Sequence, residues 1–262
     1  MTDRRPLPAK KSLGQNFCID DRIPAEIAER LKADASCTIW EIGPGKGALT
    51  QVLNRSGARL HLFEIDLRMK ETLSRRFPSA EITWGDFLEL EDSQLPEFSG
   101  NLLVTGNLPY YCGTPIIKRF LENGPAATRL VFLLQHEVAE KAAAGVEHRE
   151  YGYLSVHTAL FARAKVGSIF GPASFDPPPK VKSAILEIEP LPLNAEEKLI
   201  RVNALKHISQ LFTQRRKMAL PLLKRQRPGI DWAARFMQLG IDEKARPENI
   251  SPQQFLQLFS GS

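Results

Sequence analysis

Thr38-Ile39-Trp40-Glu41-Ile42-Gly43-Pro44-Gly45-Lys46-Gly47 is the stretch that decides the fold. Five residues of strand character run straight into three glycines spaced G-x-G-x-G, and a helical pattern follows from Ala48 to Asn54. A strand, a Gly-rich turn and a helix start form a cradle in which main chain approaches a ligand closely. The spacing departs from the G-x-G-x-x-G of dinucleotide binders, and Glu41, two residues ahead of the first glycine, would repel a pyrophosphate. A carboxylate there suits a ligand that carries an ammonium group. Glu41, Gly43 and Gly45 therefore point to S-adenosylmethionine in preference to NAD.

Moving outward, the next strand, Arg59 to Phe63, ends at Glu64, placed to take both hydroxyls of a ribose. Asp66 is read as the cap of a helix over Leu67–Phe77. A third strand, Glu81 to Trp84, reaches Asp86, placed to hydrogen-bond an adenine amino group, with Phe87 against the ring. The fourth, Leu102 to Thr105, is followed by Gly106, expected to turn the chain, and then by Asn107-Leu108-Pro109-Tyr110. That loop suits a flat base: the Asn107 side-chain oxygen accepts from an exocyclic N–H, a Leu108 or Pro109 carbonyl accepts a second, and Tyr110 stacks on the ring. Glu41 with Gly43, Glu64, Asp86 and Asn107 thus fall at the tips of four successive strands. Strands alternating with helices predict a parallel, doubly wound α/β sheet, whose ligands bind outside the C-terminal strand ends.

The flanks complete the plan. Lys10 to Asp20 is an arm rich in hydrogen-bonding side chains; Gln15, Asn16 and Phe17 either pack on the core or line a ligand cleft. Ile23, Ile27 and Leu31 give one face of a helix capped by Asp20 or Asp21. Beyond the loop the pattern predicts helices over Thr114–Leu121, 135–144 and Ser155–Phe161, and strands over Leu130–Leu134, Lys165–Phe170 and Ala184–Ile188. His136 is expected to face solvent. Phe175-Asp176-Pro177-Pro178-Pro179-Lys180-Val181-Lys182-Ser183 is a Pro-stiffened loop, read either as presenting Phe175 to a base or as a rigid crossover. Glu189 to Asn194 marks a domain boundary, giving domains 1–190 and 191–262, the second helical. It contains a long helix over Ala195–Phe212 and a last one opened by Ser251-Pro252.

Composition narrows the function classes. The chain has 262 residues, 43% of them apolar and 25% charged, as expected of an ordinary globular protein. Up to Pro190 there are 23 Lys/Arg against 24 Asp/Glu, and beyond it 12 against 6, so the excess positive charge lies in the C-terminal quarter. Arg215, Arg216 and Lys217, with Lys224, Arg225 and Arg227, are read as helix-borne cations suited to a phosphate backbone. Three cysteines, Cys18, Cys37 and Cys112, lack metal-ligand spacing and are read as reduced thiols; no metal is expected. There is no apolar run of membrane-spanning length and no signal-peptide pattern at the N-terminus, so a cytoplasmic protein without membrane contact is expected.

Together the motifs resemble the small-subunit ribosomal RNA adenine dimethyltransferase (KsgA/RsmA) family. The likeness is carried by Lys11-Ser12-Leu13-Gly14-Gln15-Asn16-Phe17, Glu41-Ile42-Gly43-Pro44-Gly45, Asn107-Leu108-Pro109-Tyr110, Phe175…Pro179-Lys180-Val181…Ser183 and Phe212…Arg215-Arg216-Lys217. The resemblance implies a Rossmann-like class I methyltransferase sheet with a small all-helical C-terminal domain. It implies dimethylation of N6 of two adjacent adenosines in the 3′-terminal hairpin of 16S rRNA, with immature small subunits as partner and a monomeric enzyme. By position, Asn16, Cys18, Gly43, Glu64, Asp86 and Asn107 would contact S-adenosylmethionine. Cys18 stands where the family commonly has Leu, Tyr111-Cys112-Gly113 is unusual, and His136 replaces a frequent Lys. Two rivals differ in prediction. A large-subunit rRNA adenine methyltransferase of the antibiotic-resistance type tends to Ile and Phe where this chain has Leu108 and Tyr110. A non-catalytic ribosome-assembly factor would bind immature subunits without methyl transfer.

Overall fold

The central strand Cys37–Ile42 is buried at every position, the pattern of a strand covered on both faces. The structure is a computed structural model and describes residues 8–10 and 13–259; Lys11 and Ser12 of the arm lie outside that set. In chain order the elements are β1 (Phe17–Cys18), α1 (Arg22–Leu31), β2 (Cys37–Ile42), α2 (Ala48–Leu53), β3 (Arg59–Glu64), α3 (Lys70–Arg76), β4 (Glu81–Trp84), β5 (Asn101–Asn107), α4 (Gly113–Glu122) and β6 (Ala127–Gln135). There follow α5 (His136–Ala143), α6 (Tyr153–Phe161), β7 (Ala162–Phe170), β8 (Phe175–Asp176), β9 (Ser183–Pro190), α7 (Ala195–Phe212), α8 (Ala219–Gln226), α9 (Trp232–Gln238) and α10 (Pro252–Phe259).

The main sheet has the order β4-β3-β2-β5-β6-β9-β7. Strands β2 to β6 pair in parallel and β9 runs antiparallel to β6. Chain order reverses direction between β2 and β5, so the crevice outside their C-terminal ends is the topological switch point where such sheets hold ligands. Ile23, Ile27 and Leu31 of α1 pack on Ile39, Leu103 and Ile185 over one face. On the other, Trp40 meets Phe63 and Phe120 edge to face. A second, two-residue ribbon pairs Phe17 with Asp176 and Cys18 with Phe175, clipping the arm to the Pro-rich loop.

Gly106 does not turn the chain: it lies within β5 opposite Phe132. Close approach of main chain explains the glycine, since a Cβ there would sit 2.3 Å from the Ile42 carbonyl oxygen. The strand therefore delivers Asn107 as its own last residue.

Contacts divide the chain into two units. One comprises residues up to Ala139 with Lys165–Glu189, the other Glu140–Ala164 with the residues from Pro190 on. The break after Glu189 falls in the expected linker, but Glu140–Ala164, expected in the first domain, groups with the C-terminal helices. Hydrogen bonds account for this: Tyr151 Oη donates to the Ile250 carbonyl at 2.8 Å, Arg201 Nε to the Leu160 carbonyl at 2.9 Å, and the Leu191 amide to the Phe161 carbonyl at 2.8 Å. In that unit α7 opens on a reciprocal cap between Asn194 and Glu197, and Ser251 caps α10 through the Gln254 amide at 3.2 Å. Arg215, Arg216 and Lys217 are not on a helix. Beyond α7 the amides of Gln214 and Lys217 bond three residues back, to Leu211 and Gln214, which replaces the helical pattern with turns.

Candidate active site

A cavity of about 850 Å³, counting its part open to solvent, lies at the strand tips of the first unit. Its walls come from the arm (Gln15, Asn16, Cys18), the Gly-rich turn (Gly43, Gly45), the acidic tips Glu41 and Glu64, the loop Asn107 to Tyr110, and Phe175 with Ser183.

On the cradle side, Gly45 has φ +55°, and its missing Cβ leaves room for the Phe17 ring, which a Cβ would meet at 3.1 Å. Glu64 Oε2 accepts the Gly45 amide at 2.8 Å and Oε1 accepts the Asp66 amide at 2.7 Å. The Glu64 carboxylate therefore shapes the turn, and burial raises its pKa against these two bonds. Glu41 is fully buried and its Oε2 has no hydrogen-bond partner. Burial pushes its carboxyl up to about 8; Thr50 opposes the rise and the neighbouring Glu64 adds to it. An orphaned buried carboxyl oxygen beside a ligand cavity fits a cationic ligand group, which would supply the missing partner and favour the ionised form.

On the loop side, Asn107 Nδ2 donates to the Asn16 carbonyl at 3.0 Å. The Leu108 amide donates to the Leu133 carbonyl at 3.1 Å, anchoring the loop to β6. The Pro109 carbonyl accepts both the Cys112 amide at 3.1 Å and its thiol at 3.2 Å. Burial, with the Asp86 charge, pushes that thiol up to about 12, so at neutral pH it stays protonated and keeps its donor. Tyr110 Oη lies 3.4 Å from Ser183 Oγ.

Other expected site residues are placed differently. Gln15 lines the cavity, but its side-chain amide is taken up by neighbours: Nε2 donates to Asp66 at 3.0 Å and Oε1 accepts the Lys10 amide at 2.8 Å. The Phe87 ring is buried in an aromatic cluster, 4.9 Å from Phe63 and 5.6 Å from Phe120 with the Arg119 guanidinium over it, so it does not present a face to the cavity. Asp86 stands at the tip of β4, where its Oδ1 accepts the Leu88 amide at 2.9 Å, and is not among the cavity's lining residues. Phe175 lines the cavity but is only 3% exposed, most of its ring belonging to the core with Ile23 and Ile27. His136 is half-buried, not solvent-facing, with its amide bonded to the Lys182 carbonyl. Arg216 and Lys217 are exposed, while Arg215 pairs with Glu248 at 2.8 Å. Ser183 and Lys46 line the cavity unforeseen; Lys46 Nζ sits 4.2 Å above the Phe17 ring. Only the second had a signal, its place between two glycines of the turn. Among the described residues no group of three or more His, Cys, Asp or Glu could hold a metal ion.

Comparison with known proteins gives consistent matches. The model of the family described as ribosomal RNA adenine dimethylase matches residues 7–261. The chain is 36% identical, over 95% of its length and 94% of the relative's, to the ribosomal RNA small subunit methyltransferase A of Geobacter metallireducens. Among solved structures, a dimethyladenosine transferase from Plasmodium falciparum superposes with a TM-score of 0.78 at 22% identity, covering 92% of this chain and 95% of the other. The 23S rRNA methyltransferase ErmE superposes with a TM-score of 0.71 at 26% identity, covering 93% and 98%.

Proposed function

Because this chain belongs to the ribosomal RNA adenine dimethylase family, we propose that it dimethylates N6 of two adjacent adenosines in the 3′-terminal hairpin of 16S rRNA, with S-adenosylmethionine as methyl donor. The observation that carries this reading is the amide of Asn107. Its nitrogen is tied to the Asn16 carbonyl, which leaves Oδ1 as an acceptor at the cavity wall.

The cradle fits the cofactor by its own chemistry. Glu41 Oε2, buried without a partner, suits the charged amino-acid end; Glu64 suits the ribose hydroxyls; the Gly43–Gly45 turn and the main chain at Asn16 and Cys18 suit close packing against the ligand. Asp86 is assigned the adenine edge by its position at the tip of β4. When bound, S-adenosylmethionine supplies a methyl group already activated on a sulfonium, so alignment is the protein's main task.

The residues of the loop perform that alignment. An adenine N6 lone pair is delocalised into the ring and is a poor nucleophile. For the first methyl, Asn107 Oδ1 accepts one N6 hydrogen and a loop carbonyl accepts the other, which draws the nitrogen toward tetrahedral geometry and frees its lone pair. For the second, one of these two oxygens accepts the single remaining N6 hydrogen, and each transfer releases one N6 proton to solvent. The Leu108 carbonyl is the loop carbonyl in question, since the Pro109 carbonyl is engaged by Cys112. Tyr110 replaces the stacking that the flipped base loses. Phe175, almost wholly buried, backs the cavity wall. Arg216 and Lys217, with Arg215, contact phosphates of the rRNA.

We assign the substrate to an immature small subunit, with a monomeric enzyme acting in the cytoplasm. Likeness to a 23S rRNA methyltransferase means that the fold alone does not choose the subunit; the family and the Leu108 and Tyr110 residues of the loop favour the small one. Labelled S-adenosylmethionine offered with separate small and large subunits, both lacking the modification, tests this. Label on small-subunit rRNA supports the assignment, and label on large-subunit rRNA moves it to the resistance type.

A further inference from the structure

Gln15 lines the cavity, yet both ends of its side chain are bound away from it. Nε2 donates to Asp66 Oδ2 at 3.0 Å, and Oε1 accepts the Lys10 amide at 2.8 Å and Arg68 Nη2 at 3.4 Å. Asp66 is itself fixed. Its carboxylate, 4% exposed as a residue, grips Arg68 at Nε (2.8 Å) and Nη2 (2.5 Å), and Arg68 Nη1 reaches the Pro8 carbonyl at 3.3 Å. Its amide donates to Glu64 Oε1. On the other side of Gln15, Asn16 offers the carbonyl that holds the Asn107 amide, and Asn16 Nδ2 donates back to the Gly14 carbonyl at 3.1 Å. Hydrogen bonds from the tip of β3, where Glu64 stands, to Gln15, then the main chain from Gln15 to Asn16, and a last hydrogen bond to Asn107 thus join the tips of β3 and β5 by way of the arm.

We infer that Gln15, Asp66 and Arg68 form a clasp that positions Asn107, holding the Asn16 carbonyl where it fixes which atom of the Asn107 amide faces the substrate. The inference rests on the methyl-transfer reading above and assigns Gln15 a positioning role in place of direct cofactor contact. Asn107 has two amide orientations of similar shape, and only one presents oxygen. The Asn16 carbonyl can accept but not donate, so it selects the orientation with nitrogen inward and oxygen outward. The rest of the arm is held by the two-residue ribbon β1–β8 and by the Phe17 ring, buried with Met69, Leu73 and Phe77. Those contacts begin after Asn16, and the charged, multiply bonded clasp on the Glu64 turn adds a directional restraint on the residue before it.

The test compares Gln15→Ala and Asp66→Asn with the wild type. Turnover is measured at saturating S-adenosylmethionine, cofactor affinity by equilibrium binding, and hydrogen exchange of the Asn107 side-chain amide by NMR on the cofactor-free protein. The expected result for Gln15→Ala is a kcat lowered about tenfold, the scale of one lost hydrogen bond. Cofactor Kd should stay within about threefold and the Asn107 amide protons should exchange faster. Asp66→Asn, which keeps the shape but loses the charge, should fall between. Weakened cofactor binding with unchanged kcat would make the clasp a cofactor lid and overturn the inference, as would unchanged kcat with unchanged amide exchange. A wild type that fails to methylate rRNA at all would defeat the functional reading instead; the exchange measurement on the cofactor-free protein then decides the clasp independently.

Discussion

Asn107 and Asn16 lie 91 residues apart in sequence, and the side-chain amide of the first donates to the main-chain carbonyl of the second at 3.0 Å. This contact decides what Asn107 offers a substrate: with its nitrogen engaged, its oxygen is the free acceptor. Asn107→Asp keeps an acceptor but sets a carboxylate against the Asn16 carbonyl, two oxygens with no proton between them. Turnover should fall by about 10²-fold or more, the scale of losing one group aimed at developing charge. Single-turnover methyl transfer measures it, and near-wild-type turnover in Asn107→Asp would refute the orientation argument.

Tyr110 is assigned a stacking role. Its hydroxyl is 3.4 Å from Ser183 Oγ, at the limit of a hydrogen bond, so the ring matters more than the oxygen. Tyr110→Ala should lower turnover by roughly ten- to a hundredfold, from the ~1–3 kcal/mol that a stacked base contributes. Tyr110→Phe should stay close to wild type, and both variants should bind cofactor normally in an equilibrium titration.

Glu41 carries a pH signature. Its carboxyl titrates near 8 in the folded protein because burial disfavours the charge, with Thr50 opposing and Glu64 adding, against an ordinary value of 4.5. Below pH 4.5 the proton is on in both folded and unfolded chains. Above that the unfolded chain releases it while the folded one keeps it, so this group's contribution to stability declines as pH rises and levels off beyond about 8. Glu64, also raised, acts in the same direction. The cofactor-free protein should lose thermal stability between pH 5 and 8, and Glu41→Gln should flatten part of that slope in thermal melts across the range.

Arg216 and Lys217 are exposed in the turn after α7, whereas Arg215 is partly neutralised by Glu248. If the first two meet phosphates, each contributes roughly 0.7–0.9 to the slope of log affinity against log salt. The Arg216→Ala/Lys217→Ala double variant should reduce the slope for rRNA binding by about 1.5. Arg215→Ala alone should change it less, as a salt titration of binding will show.

Much of this fold was legible because it rests on local pattern. The 37–47 strand and turn, the Ala195–Phe212 helix between Asn194 and Thr213, and the Ser251-Pro252 start each follow from a few adjacent residues. What misled was chemistry settled at long range. Gly106 reads as a turn residue, but its missing side chain answers a carbonyl from β2. Phe87 follows Asp86, which the sequence reads as facing a cofactor, but Phe63 and Phe120 offer its ring a buried place. Gln15 lines the cavity, one of the two places its sequence position allowed, but nothing local signals that Asp66 and Lys10 take up both ends of its side chain. The Glu140–Ala164 segment shows no change of composition; it groups with the C-terminal helices through Tyr151 and Leu160, whose partners are far along the chain.

The most direct test of the central claim is nucleoside analysis of small-subunit rRNA after reaction with the wild-type protein and S-adenosylmethionine, beside the Asn107→Ala variant. N6,N6-dimethyladenosine at two adjacent positions of the 3′-terminal hairpin, absent with Asn107→Ala, is the predicted result. Methylated adenosine confined to large-subunit rRNA, or tight binding of small subunits without any methylated adenosine, would contradict it.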